Sequence, residues 1–196
     1  MKLEVKNSHT AVFGLKGEGK SNWTQWLLSK PQFSAHLIYD LCREHDVLNR
    51  YIPTHRRGDK AADELNEVAT RMVVGVDRDR RPEIFALEEL SRFCGPNSPP
   101  PEAVYEIIDM NRHYGVGLVT VARRPAQVHT DITELADNII IFPLSGSNDR
   151  RKLNNTIDGL GDTVVDELGE YEYVIAQGRD YKIHRPVPEM DTTGRL

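Results

Sequence analysis

An eight-residue run near the N-terminus, Gly14-Leu15-Lys16-Gly17-Glu18-Gly19-Lys20-Ser21, limits this chain more than any other part of it. It satisfies the pattern G-x-x-x-x-G-K-[ST] at every fixed position. Its flanks agree. Thr10 to Phe13 is short, apolar and β-favouring, and a helical pattern carrying Trp23, Trp26, Leu27 and Leu28 runs from Lys20 to Ser29, until Pro31 stops it. Glycines at these positions let backbone N–H groups converge on a polyphosphate, and the N-terminus of the following helix adds its dipole. The reading is an ATP-binding loop formed by Gly14, Gly17, Glu18, Gly19, Lys20, Ser21 and Asn22. Lys20 would reach the β- and γ-phosphates, and Ser21 would ligate Mg2+.

The rest of the chain repeats the same grammar of short apolar strands and amphipathic helices. Strands are expected at His36 to Asp40, Val73 to Val76, Glu83 to Leu87, Gly117 to Ala122 and Asn138 to Phe142. Helices are expected at Lys60 to Met72, from Glu89 to about Phe93, at Glu102 to Tyr114 and at Asp162 to Leu168. Tyr171 to Ala176 and Asp180 to His184 read as a hairpin across Gln177-Gly178-Arg179. The polar stretch from Cys42 to Asp59 has no regular reading, and Gly95 to Pro101 is a loop. Such alternation predicts an α/β fold of three layers, with a mainly parallel central sheet and a C-terminal β-hairpin. Residues 1–186 are expected as one ATPase domain and 187–196 as a polar, flexible C-terminal tail. Ligands in such folds bind at the carboxyl ends of strands.

One strand end carries paired acids: Ile84-Phe85-Ala86-Leu87 runs into Glu88-Glu89. In nucleotide-hydrolysing proteins with such a loop, the first acid holds Mg2+ and the second orients the attacking water. Glu88 is thus a metal candidate and Glu89 a catalytic one. Aspartate is the usual residue at the first position, so Glu88 is a departure. A kinase acting on small molecules has no use for the second acid, and the pair favours an ATPase.

Composition narrows the partners. With 39% hydrophobic residues and a net charge of -5, the chain is neither disordered nor a generally basic nucleic-acid binder. Local basic knots exist at His55-Arg56-Arg57 with Lys60, at Arg78-Asp79-Arg80-Arg81 and at Arg150-Arg151-Lys152. Each reads either as solvated loop charge or as a phosphate contact inside a ring whose outer surface is acidic. Cys42 and Cys94 are too few for a disulfide framework or a thiolate metal site and read as reduced thiols. No run reaches transmembrane length, and the first residues have no apolar signal core, so a cytosolic protein is expected.

The run Asn111-Arg112-His113-Tyr114-Gly115-Val116-Gly117 into Leu118-Val119-Thr120-Val121-Ala122-Arg123-Arg124-Pro125, followed by Ala136-Asp137-Asn138-Ile139-Ile140, resembles the HerA–FtsK superfamily of P-loop ATPases. With the phosphate loop and the acidic pair, the resemblance covers residues 8 to 186. It implies a RecA/FtsK-like fold and a homo-oligomeric ring, hexamer or pentamer, that moves double-stranded DNA. Arg112 would be an arginine finger reaching a neighbouring subunit. Arg123 stands where the family usually has glutamine, as a sensor or itself the finger, and Arg124 matches the motif beside Pro125. The short length is most like the genome-packaging ATPases of viruses with an internal membrane. That implies a host-cytoplasmic protein that joins the virion at a packaging vertex, with capsid or membrane proteins as partners. Arg56, Arg57, Lys60, Arg78, Arg80 and Arg81 are the DNA-contact candidates. The alternatives are a non-packaging P-loop ATPase, either a virion assembly or secretion factor or a HerA-like DNA-processing protein, and a small-molecule kinase.

Overall fold

The computed structural model describes residues 3–45, 48–73 and 81–190. Eight strands lie in one sheet: β1 (His9–Phe13), β2 (His36–Tyr39), β3 (Arg50–Tyr51), β4 (Ile84–Leu87), β5 (Gly117–Ala122), β6 (Asn138–Ile141), β7 (Tyr173–Gln177) and β8 (Asp180–His184). Their order is β3-β2-β4-β5-β1-β6-β7-β8. The first six run parallel. The β7–β8 hairpin adds antiparallel to β6. The fold is the expected α/β, mainly parallel sheet with a C-terminal hairpin.

Parallel strands covered on both faces need apolar residues at every position, which is why β1, β4, β5 and β6 are buried throughout. Alternate side chains feed two cores. Ala11, Phe13, Phe85, Leu87 and Leu118 enter one cluster with α2 (Asp59–Val73) and α3 (Glu102–Tyr114). Val12, Ile38, Ala86, Val119 and Ile140 enter the other, against Trp23, Leu27 and Leu28 of α1 (Lys20–Leu28). The remaining helices are short: α4 (Asp131–Glu134), α5 (Ser147–Thr156) and α6 (Leu160–Asp162), which passes into a π-helical turn, Thr163–Glu167.

Four expectations need correction. Val73 is the last residue of α2 rather than the start of a strand, and the rest of that expected strand lies outside the described residues. The helix expected after Glu89 is a single 3-10 turn, Leu90–Arg92, because Glu89 itself takes a left-handed conformation that a helix cannot continue. The irregular stretch after Cys42 contributes β3, two residues paired to the edge of β2. Helix α5 lies in a segment that carried no apolar period, since only Leu153 and Asp149 are buried in it.

One feature of the strand order positions the site. Strand β5 lies between β1 and β4, with Ala122 beside Phe13 and Thr120 beside Leu87. The residues that leave these three parallel strands, Gly14, Arg123 and Glu88, therefore emerge side by side at one end of the sheet. Gly14 N donates to Arg123 O at 3.3 Å, which ties two of them directly.

Candidate functional site

The phosphate loop turns on glycine. Gly17 and Gly19 have φ of 90° and 99°, a region that residues with a Cβ rarely enter. Gly19 is also the N-cap of α1, so the free N–H groups of the first helical turn face the loop. Lys20 folds across it, with Nζ donating to Leu15 O at 2.8 Å. Burial pushes its ammonium below the ordinary lysine value. Glu88 and Glu89 draw it back up, Arg123 lowers it again, and Glu44 raises it. All four charged residues follow the carboxyl ends of β2, β4 and β5, the end of the sheet at which the phosphate loop leaves β1.

Glu88 is almost fully buried, with 4% of its surface exposed. A buried carboxylate needs a partner, and His45 provides it: Nε2 stands 2.9 Å from Glu88 Oε1. Burial alone would lower the His45 pKa. The hydrogen bond and charge of Glu88, joined by Asp40 and Glu44, outweigh it and raise the value. The neighbouring Glu44 Oε2 accepts a hydrogen bond from Ser21 Oγ at 3.0 Å. One loop after β2 therefore holds both residues expected to ligate metal. Asp40 organises that loop, accepting the N–H groups of Glu44 (3.0 Å) and His45 (3.1 Å) and one N–H of Arg50 (3.2 Å).

Glu89 sits at φ 52°, ψ 43°, left-handed for a residue with no glycine-like freedom. Arg123 donates to its Oε1 through Nε at 3.3 Å and Nη2 at 3.2 Å. Cys42 lies near the same acids. Burial first, then Glu44, Glu89 and Glu88, push its thiol up to about 11, against a downward pull from Arg92. Both cysteines are free.

The site candidates thus divide. Lys20, Ser21, Glu88, Glu89 and Arg123 come together at the carboxyl end of the sheet. Arg112 does not. It ends α3, before β5 begins, and donates to Asp137 Oδ1 at 3.1 Å at the opposite end. The length of β1, about 15 Å, separates it from the phosphate loop of its own chain, and 77% of its side chain is exposed. Arg124 turns away to Asp149, a fully buried carboxylate 3.4 Å away that also accepts Ala126 N. Asn22 contacts the C-terminal segment, donating to Pro188 O and accepting from Met190 N. Arg56, Arg57 and Lys60 are exposed on the carboxyl side, between β3 and the first turn of α2. Arg81 lies on the amino side, bonded to Met72 O, and Arg78 and Arg80 lie outside the described residues.

Sequence reading missed Glu44, His45 and Arg50. The only signal was Asp40, an acid closing an apolar strand. Which residues fold back on Ser21 and Glu88 depends on a loop with no period of its own.

The donors at the site suit a hard cation. Ser21, Glu88 and Glu44 offer only oxygen, as Mg2+ prefers. Among the described residues no group of three or more His, Cys, Asp or Glu side chains forms a metal cage.

Fold and loop together define the α/β architecture of the P-loop NTPase fold class. Solved structures of that class superpose on the chain. The genome-packaging NTPase B204 of Sulfolobus turreted icosahedral virus 2, in complex with sulfate, aligns with a TM-score of 0.77 at 19% identity, covering 93% of this chain and 98% of that one. B204 of Sulfolobus turreted icosahedral virus, described as a DNA-packaging ATPase, gives 0.74 at 19% identity over 94% and 100%. ATPases 2 and 3 of EssC from Geobacillus thermodenitrificans give 0.61 at 14% identity over 97% and 42%. No protein-family model and no curated protein matches the sequence. No helix among the described residues is long and apolar enough to cross a membrane.

Proposed function

We propose that this chain is the ATP-hydrolysing subunit of a motor that moves double-stranded DNA, packaging a viral genome into a capsid. The observation that carries the reading is the convergence of Lys20, Ser21, Glu88, Glu89 and Arg123 at three adjacent strand ends. The likeness to the B204 packaging ATPases over nearly the whole chain supports the packaging role.

Lys20 and the loop N–H groups neutralise and orient the β- and γ-phosphates. Ser21 and Glu88 would hold Mg2+, which would neutralise charge developing on the phosphates. Glu89 accepts the proton of the attacking water. Arg123 holds its carboxylate in place and sits in the same subunit as the loop, where a sensor belongs. Arg112 faces away from its own loop and acts on a neighbouring subunit, which requires a ring. The exposed Arg56, Arg57 and Lys60 contact the DNA backbone without reading sequence. The protein works in the host cytoplasm and docks at a capsid vertex.

The test is ATP hydrolysis by the purified protein with and without double-stranded DNA, beside Lys20→Ala. DNA-stimulated turnover that Lys20→Ala abolishes supports the motor. Turnover that ignores DNA rejects translocation and favours a non-packaging ATPase. Wild-type turnover in Lys20→Ala rejects the site.

A further inference from the structure

The segment that follows β8 turns back towards the phosphate loop. Residues 186–190 cross the first turn of α1, and Asn22 fixes them at two points. Its Nδ2 donates to Pro188 O at 3.1 Å, and Met190 N donates to its Oδ1 at 2.7 Å. Between this strap and the loop lies a cavity of about 430 Å3, within the range of small-ligand sites, roughly 300 to 1,000 Å3. Gly17 and Gly19 form the wall shared with the phosphate loop. Phe142, Tyr171, Val187 and Met190 form most of the rest.

Tyr171 is the unusual member. Its backbone has φ 59°, a left-handed conformation that is strained for a bulky residue and recurs at ligand clamps. The residue is 45% exposed, yet its Cδ1 comes within 3.4 Å of where a Cβ on Gly19 would stand, with Phe142 Cε1 at 3.5 Å. A partly exposed aromatic ring beside Gly19 of the phosphate loop gives this cavity an apolar wall. Aromatic side chains in such positions stack on bases of any sequence.

We propose that this cavity takes the nucleobase of the nucleoside triphosphate whose phosphates occupy Gly14–Ser21. Tyr171 is the stacking wall, and residues 186–190 are a strap closed over the base. The inference rests on nucleotide binding at the phosphate loop. Asn22 then acts as the anchor of the strap rather than as a phosphate ligand. The tail, by sequence a flexible arm, becomes part of the binding site.

The two ideas separate with two ligands. Calorimetric titration with ATP and with inorganic tripolyphosphate compares a ligand that has a base with one that has only phosphates. In Tyr171→Ala, ATP affinity falls about tenfold, while tripolyphosphate affinity stays within about twofold. Tyr171→Phe, which keeps the ring, restores ATP binding. Asn22→Ala, which releases the strap, weakens ATP selectively. Unchanged ATP affinity in Tyr171→Ala overturns the pocket, as does an equal loss of both ligands. If the wild-type protein binds neither ligand, the nucleotide reading itself fails and the pocket with it. A measurement on wild-type protein covers the case in which Tyr171→Ala does not fold. The fluorescence of 2-aminopurine riboside triphosphate is quenched on binding if the base stacks on Tyr171, and an unquenched bound analogue overturns the proposal.

Discussion

His45 Nε2 lies 2.9 Å from Glu88 Oε1, with 0% and 6% of the two side chains exposed. This pair joins the loop after β2 to the acid that follows β4, and both side chains are buried. Removing one partner of such a pair leaves an uncompensated buried group. His45→Ala is therefore expected to destabilise the protein by about 3 kcal/mol, read by urea unfolding. In a double-mutant cycle with Glu88→Gln, the two losses are expected to be strongly non-additive. Additive losses would mean that the contact carries no coupling energy.

Arg123 and Glu89 make a different prediction. Glu89→Gln removes a general base and keeps the shape, so kcat is expected to fall by roughly 10²–10⁴ with ATP affinity nearly unchanged. Arg123→Ala frees the Glu89 carboxylate and removes a positive charge near Lys20. It should lower kcat as well. If the double variant is no slower than Glu89→Gln alone, Arg123 acts through Glu89. A further loss in steady-state turnover would give it an independent role.

Arg124 is bound to a structural partner. Its loss takes the guanidinium from Asp149, 0% exposed, and leaves it the Ala126 N–H. Arg124→Ala should cost about 1–3 kcal/mol of stability, and a thermal melt measures it. ATP affinity, measured on the folded fraction, is expected to stay within a few-fold of wild type.

His9 gives a pH dependence. It opens β1 at the end of the sheet away from the phosphate loop, fully buried, with Nε2 2.9 Å from Thr120 Oγ1. Burial pushes its pKa down to about 4, against a partial upward pull from Asp137. The folded protein thus keeps His9 neutral, while the unfolded chain takes up a proton below about 6.5. The stability that depends on neutral His9 is present above pH 6.5 and is lost as pH falls from there towards 4. Between pH 7 and pH 5 the loss is about 2 kcal/mol. His9→Gln should lose less stability over the same interval, and an equal loss in both proteins would refute the assignment.

How much of this was legible beforehand follows from where each signal resides. Gly14 to Ser21 declared the phosphate loop because its chemistry needs fixed residue types at fixed spacing. The strands around it declared themselves because a parallel sheet buried on both faces demands continuous apolar runs. Val73 was misread because a valine closing an amphipathic helix resembles one opening a strand. Helix α5 was missed because it buries too little to leave a period.

By itself, the sequence determined the class of fold, the phosphate loop and the acidic pair after β4, all local patterns enforced by backbone geometry or burial. Only the tertiary structure decided which distant groups meet. The insertion of β5 between β1 and β4 brings Arg123 to Glu89 and Lys20. The winding of the 40–45 loop around Asp40 delivers Glu44 to Ser21 and His45 to Glu88. The return of residues 186–190 over Asn22 turns a polar tail into a wall of the site. Such meetings depend on strand order and loop closure over tens to more than a hundred residues, and no short-range pattern encodes them.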